Sequence, residues 1–308
     1  MKKIYIVILN YNGEKDTKEC LDSLLTINKK GFSVNTLLVD NNSDKKISIE
    51  EKDYKDLNLE IINNSKNLGF SGGNNVGIRK ALKGGADYVL LLNNDTLVEQ
   101  DFLLKLFSFS EENKKVGIAV PKIYFAKGYE FHKDRYKKED LGKVIWYAGG
   151  IIDWRNIIGH HIGVDEVDNG RYDNVSETDF ASGCCMIIRK EVFEKIGFLD
   201  ERYFLYYEDS DYSIRAKKAG FNIYFVPTAV IWHKNAGSTG GSGSDLQDYY
   251  ITRNRLLFGL QYGPIKSKTA LLREGLRLLI NGRPMQKKGA RDFFLRKFYQ
   301  GNVFNESN

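Results

Sequence analysis

Over its first hundred residues the chain alternates short aliphatic runs with helical spacings, and no other feature limits its possible folds as strongly. IYIVILN (4–10), TLLVD (36–40), LEIINN (59–64) and YVLLLN (88–93) read as strands. Between them, Cys20, Leu21, Leu24 and Leu25 fall at helical spacing, and GIRKALKGG (77–85) ends a helix on glycines. Repeated βαβ units imply a mainly parallel sheet flanked by helices, with ligands bound beyond the carboxyl ends of its strands. Polar clusters occur at those ends: Asn10-Tyr11-Asn12-Gly13, then Asp40-Asn41-Asn42-Ser43-Asp44, then Asn93-Asn94-Asp95. Any one of them would pass for a turn; their shared location marks a site.

NLGFSGGNNVG (67–77) precedes a helix, and its glycines would let backbone approach a ligand at a positive helix terminus. The spacing fits neither the dinucleotide fingerprint nor a phosphate loop, which disfavours a dinucleotide oxidoreductase. Residues 126–176 are irregular, as binding loops or lids often are. Further on, Tyr206-Tyr207-Glu208-Asp209 opens a helical pattern ending at Gly220. A carboxylate there would be kept ionised by the helix dipole, which suits a general base. Asp211 and Arg215, four apart, read as a surface ion pair. Trp232-His233 closes a strand, and with Asp95 the histidine is a candidate metal contact. AGSTGGSGS (236–244) reads as a linker or a lid, and Arg253 and Arg255 as groups that either reach a diphosphate or face water.

Composition is that of a soluble globular protein: 308 residues, 42% hydrophobic and 28% charged. The apolar run after Met1-Lys2-Lys3 is too short for a secretory core, and nothing approaches the length of a membrane span. Three cysteines, two of them adjacent, read as reduced thiols in a cytoplasmic protein, with Cys184 and Cys185 packing in the core. The charge is mildly basic, +6, without a stripe or motif for nucleic acid. KKGARDFFLRKFYQ (287–300) interleaves basic and aromatic residues, and is either a peripheral membrane contact or an ordinary terminal helix.

The stretches VILNYNG, LLVDNNSDK, NLGFSGGNNVGIRKAL, VLLLNNDT, SGCCMIIRKEVFEKIGFLDERYFLYYEDSDYSIRAKKAG and the Trp-His pair resemble family 2 glycosyltransferases of the GT-A fold, in particular their bacterial rhamnosyltransferase branch. The likeness covers residue 4 to about 235. It implies a GT-A unit at 1–245, with a donor half to about 120 and an acceptor half beyond, followed by a helical extension at 246–308. By resemblance, Asp40 would bond the pyrimidine, and Tyr11 and Asn67 would shape the nucleoside pocket, with Asn42, Gly69, Asn75, Asn93 and Asn94 also meeting the nucleotide sugar. Asp95, last position of the D-x-D motif, would bind Mg²⁺ or Mn²⁺ with His233. Asp209 would be the catalytic base and Glu208 would position base or acceptor. Asn93 replaces the motif's first carboxylate, so metal affinity without nucleotide should be low. The implied activity is inverting transfer from a nucleotide sugar, dTDP-rhamnose or else a UDP-hexose, to a glycan or lipid-linked acceptor of surface polysaccharide. A sugar-phosphate nucleotidyltransferase or a non-catalytic glycan-binding subunit are the remaining alternatives.

Overall fold

A computed structural model describes residues 1–235 and 244–301. The first half follows the expected alternation: β1 (Lys2–Asn10), α1 (Glu14–Leu24), β2 (Phe32–Asp40), β3 (Leu59–Asn63), α2 (Gly69–Lys83) and β4 (Tyr88–Asn93). Then come β5 (Thr96–Val98), α3 (Phe102–Glu112), β6 (Val116–Phe125) and four short strands, β7 (Ile145–Tyr147), β8 (Gly150–Asp153), β9 (Ile158–His161) and β10 (Ser176–Glu177). β11 (Cys185–Arg189), α4 (Lys190–Ile196), α5 (Glu208–Lys218) and β12 (Asn222–His233) return to the sheet. Three helices follow: α6 (Asp245–Tyr262), α7 (Ile265–Asn281) and α8 (Pro284–Phe294).

The main sheet runs β10-β12-β6-β11-β4-β1-β2-β3, with β5 and β7 at its side. β4, β1, β2 and β3 are parallel, and β11 inserts antiparallel between β4 and β6. The central strands β1 and β4 are covered on both faces and run nearly continuously apolar: Ile4, Ile6, Val7, Ile8, Leu90 and Leu91 are all fully buried. The parallel register sets Asn10 beside Asp40, Leu9 beside Asn93 and Asp40 beside Asn63, so the three polar clusters share one edge of the sheet. This is the α/β, GT-A type of architecture expected from the sequence.

The glycine-rich stretch differs from its reading as a ligand-facing loop. Helix α2 already starts at Gly69, and a Cβ on Gly73 or Gly77 would stand 2.4 Å from Leu9 or Val7 side-chain carbons. These glycines set the helix close against β1. Cys184 and Cys185 are buried free thiols, as expected, and burial pushes the pKa of Cys20 up to about 12. Among the described residues no helix is long and apolar enough to cross a membrane.

Candidate active site

The carboxyl edge of the sheet opens into a cleft of about 390 Å³, within the range of small-ligand sites. One wall comes from the first half of the chain: Tyr11, Asn41, Asn67 and Gly69. The floor is the end of β4, Asn93-Asn94-Asp95. The cleft is also lined by Glu208 and Asp209 at the start of α5 and by His233 at the end of β12. Nine of the expected residues therefore meet in one place: Tyr11, Asn67, Gly69, Asn93, Asn94, Asp95, Glu208, Asp209 and His233.

Three others do not line the cleft. Asp40 is 6% exposed, and its carboxylate accepts from Asn10 Nδ2 at 2.7 Å, Ser43 Oγ at 2.6 Å and Ser43 N at 3.1 Å. Those bonds close the turn after β2. Asn42 sits exposed in that turn with φ 66°, while its neighbour Asn41 is buried and does line the cleft. Asn41 grips the β3–α2 connection, donating to Asn67 Oδ1 at 2.9 Å and Gly69 O at 3.1 Å and accepting from Leu68 N at 3.0 Å. Asn75 lies on the far face of α2 and directs its amide to Leu199 and Glu201: it donates to Leu199 O and Glu201 Oε1 and accepts from Leu199 N.

The end of β4 now has a physical explanation. Asn94 Nδ2 donates to Thr17 Oγ1 at 2.9 Å and Gly13 O at 3.3 Å, tying the strand end to the start of α1. Asp95 Oδ1 lies 3.0 Å from His233 Nε2. The next residue, Lys234, donates its backbone N–H to Asp95 O and its ammonium to Asp16 at 2.7 Å, which pins β12 over the loop. His233 is further held edge-on by Trp146, ring centroids 4.6 Å apart, with its Nδ1 buried and unpartnered among the described residues.

Trp146 and His161 also line the cleft and come from the irregular 126–176 stretch, where sequence reasoning had named no residue. Their strands are three and four residues long, too short to show a period. His161 Nδ1 donates to Trp146 O at 3.1 Å, and burial lowers its pKa to about 4, so it is neutral.

Glu208 and Asp209 open α5 as expected, but burial outweighs the helix dipole at both. Asp209 is raised above the usual aspartate range chiefly by desolvation, although Gly183 N, Ser210 N and Ser210 Oγ all donate to its carboxylate. Glu208, 5% exposed with Oε2 unpartnered among the described residues, is held far above it by burial and then by the charge of Asp209. An acid whose pKa rises on folding keeps its proton while the unfolded chain releases it, so stability falls with rising pH between the two values. Glu208→Gln is therefore expected to gain melting temperature relative to the parent as pH is raised from about 5 towards the elevated folded-state value. A constant difference over that range would mean that Glu208 ionises normally.

The loop before this helix is strained: Phe204, Tyr206 and Tyr207 have φ of 62°, 67° and 73°. Left-handed side-chain-bearing residues cost about 1–2 kcal/mol each. Helix α6 supplies the hydrogen bonds that hold them. Asn254 Nδ2 donates to the carbonyls of Tyr203, Leu205 and Tyr206 at 2.8, 2.7 and 2.9 Å. The fully buried Arg253 donates to Arg202 O, Tyr203 O and Tyr299 O. Arg253 thus neither reaches the cleft nor faces water, and Arg255 is tied to Asn156 O and Glu274. Phe204 O also accepts from Phe70 N and Ser71 N, so these amides of α2 serve the loop and not an anion. Asp211, read as a surface partner of Arg215, does pair with it at 2.7 Å but is fully buried under Tyr262 of α6, whose hydroxyl donates to it. The Gly-Ser stretch from 236 lies outside the described residues apart from Ser244, which caps α6 by accepting from Gln247 N.

Comparison with known proteins agrees with this geometry. The family model for glycosyl transferase family 2 matches residues 5–197. The chain is 27% identical over 253 residues to the low-salt glycan biosynthesis hexosyltransferase Agl10 of Haloferax volcanii, covering 82% of this chain and 74% of that one. It is 26% identical over 262 residues to the dTDP-rhamnosyl transferase RfbF of Shigella flexneri, covering 82% and 79%. The crystal structure of GalNAc-T7 with UDP, GalNAc and Mn²⁺ superposes with a TM-score of 0.60 at 16% identity, over 92% of this chain and 58% of that one, a likeness of fold. A GT-A sheet, a cleft at its carboxyl edge that joins Asp95 to Asp209, and a family match over most of the chain lead to one assignment: this protein belongs to glycosyl transferase family 2 and is a glycosyltransferase.

Proposed function

We propose that the protein transfers a sugar from a nucleoside diphosphate to a hydroxyl of a glycan or lipid-linked acceptor, with inversion, and that the sugar is rhamnose from dTDP-rhamnose. The observation that carries this reading is that Asp209 and the Asp95–His233 pair line a single cleft. In one displacement the acceptor oxygen bonds to the anomeric carbon as the bond to the diphosphate oxygen breaks. The proton passes to Asp209, and the nucleoside diphosphate leaves. A base of raised pKa takes that proton readily once ionised. Glu208, holding its own proton, keeps a second negative charge away from the site and positions base or acceptor.

Asp95 and His233 would hold a divalent ion, Mg²⁺ or Mn²⁺. These two atoms lie 3.0 Å apart at the cleft, and a carboxylate and an imidazole are donor types that such ions accept. When bound, such an ion neutralises charge developing on the leaving diphosphate. Asn93 at the first motif position makes metal binding depend on nucleotide.

The rhamnosyl donor is favoured by the likeness to RfbF; a UDP-hexose is the second reading, favoured by the equal likeness to a named hexosyltransferase. We place the reaction on the cytoplasmic side of surface polysaccharide assembly. Thermal melting with a panel of nucleotide sugars, with and without Mn²⁺, tests it. The true donor at about 100 times its dissociation constant should add about 2.7 kcal/mol of stability, several degrees of shift. Equal silence from every nucleotide sugar would end the proposal, and a larger shift with a UDP-hexose would replace rhamnose.

A further inference from the structure

Helix α7 packs one narrow seam, Ser267, Leu271 and Gly275, against α6 and α8. About a quarter-turn away from that seam, Leu272, Leu276 and Ile280 recur every fourth residue and point outward, 38%, 55% and 73% exposed. Ile265 at the start of the helix is 81% exposed. A further quarter-turn on, Arg273 and Arg277 are exposed, so the helix passes from packed to bare apolar to basic around its circumference. That banding is the signature of a helix lying in an interface.

Charge says what covers this face. From 265 to 301 the chain carries ten lysines and arginines against Glu274 and Asp292 alone. Both acids are already engaged: Glu274 pairs with Arg255 at 2.6 Å, and Asp292 is fully buried, accepting from Tyr249 Oη. The whole chain's net charge is +6, so the surplus is concentrated here and the remainder is slightly acidic. A second copy docked through the same face would set two basic surfaces together, an arrangement penalised by like-charge repulsion. An anionic lipid surface answers both features, the apolar stripe and the cations around it.

We infer that α7, with the basic residues of α8 beside it, docks the protein on an anionic membrane surface, Leu272, Leu276 and Ile280 entering the headgroup boundary. The terminal aromatics singled out in the sequence contribute less, because Phe293 and Phe298 pack on the domain while Leu295 remains outside at 57%. The inference does not depend on the identity of the donor or on catalysis.

Co-sedimentation of the full chain with phosphatidylcholine vesicles, with and without phosphatidylglycerol, tests it. Binding should require phosphatidylglycerol, weaken with salt, and fall about tenfold or more in Leu276→Glu/Ile280→Glu. A charge-matched control on another surface, Lys133→Ala/Lys137→Ala, should bind nearly as the parent does. Melting temperature and nucleotide-induced shift should be unchanged in both variants, which separates loss of docking from loss of fold or site. Absence of binding to either vesicle, equal binding by the stripe variant, or a dimer in sedimentation velocity that the stripe variant dissolves would each overturn the inference.

Discussion

Asp209→Asn is expected to lower kcat by about 10²–10⁴-fold, the usual contribution of a general base, while leaving the donor's dissociation constant within a few-fold of the parent's. The reasoning rests on which bonds the amide can keep. Both carboxylate oxygens accept from backbone N–H groups, Gly183 at 3.1 Å and Ser210 at 2.6 Å. Asparagine satisfies one of them and turns its own N–H₂ toward the other, at a cost of about 1–3 kcal/mol that melting will register. Ser210→Ala removes a lesser bond to Asp209 at 3.2 Å and retains the carboxylate, so it should cost far less activity. The pH profile gives a second readout. The base works only when ionised, so parental kcat should fall as pH drops through a value above the ordinary aspartate range, and that acid limb should vanish in the variant. Turnover in Asp209→Asn close to the parent's would remove Asp209 from the base's role, and no turnover in the parent with any donor would favour a non-catalytic binding subunit.

The second large effect is expected far along the chain, at Asn254. Its side-chain amide is the common donor to three carbonyls of the strained loop that ends at Glu208 and Asp209. Asn254→Ala leaves those carbonyls short of partners, costing on the order of 1–3 kcal/mol for each one not rescued by water. Tyr203 O keeps Arg253, so the loss falls chiefly on Leu205 and Tyr206. Displacement of the base by about 1 Å is enough for roughly a hundredfold loss of rate. Asn254→Asp is the sharper experiment, because the aspartate has nearly the same shape but only accepts hydrogen bonds. It should lose as much kcat as Asn254→Ala with donor affinity kept, a split that simple unfolding would not give. An Asn254→Asp enzyme with parental kcat would show that packing of α6, not donation from its amide, holds the loop.

How far the site could be read in advance depended on what each residue needs from its surroundings. Asp95, Asp209 and His233 sit at ends of regular elements, where the direction of the chain decides which way a side chain faces; strand and helix signals in the sequence carry that information. Asp40 also ends a strand, yet Ser43, three residues on, recaptures its carboxylate through local bonds that compete with the cleft. Asn41 and Asn42 are alike in composition, and only the left-handed turn at Asn42 decides that the first faces in and the second out. Asn75 belongs to the buried first half of its helix, and the 199–201 loop that claims it is over a hundred residues away. The same holds for Arg253 and Asp211. A guanidinium or carboxylate looks solvent-bound in sequence until distant carbonyls, or a distant tyrosine, are folded over it.

Helix α6 both lines the cleft, through Leu246 and Tyr250, and fastens the loop that leads to Glu208 and Asp209. The terminal helices are thus no detachable module. A graft of this segment from a relative with another acceptor would carry over, along with any new specificity, responsibility for where Glu208 and Asp209 stand, and chimeras joined near residue 245 will succeed only when the Arg-Asn pair and the backbone it grips are inherited together.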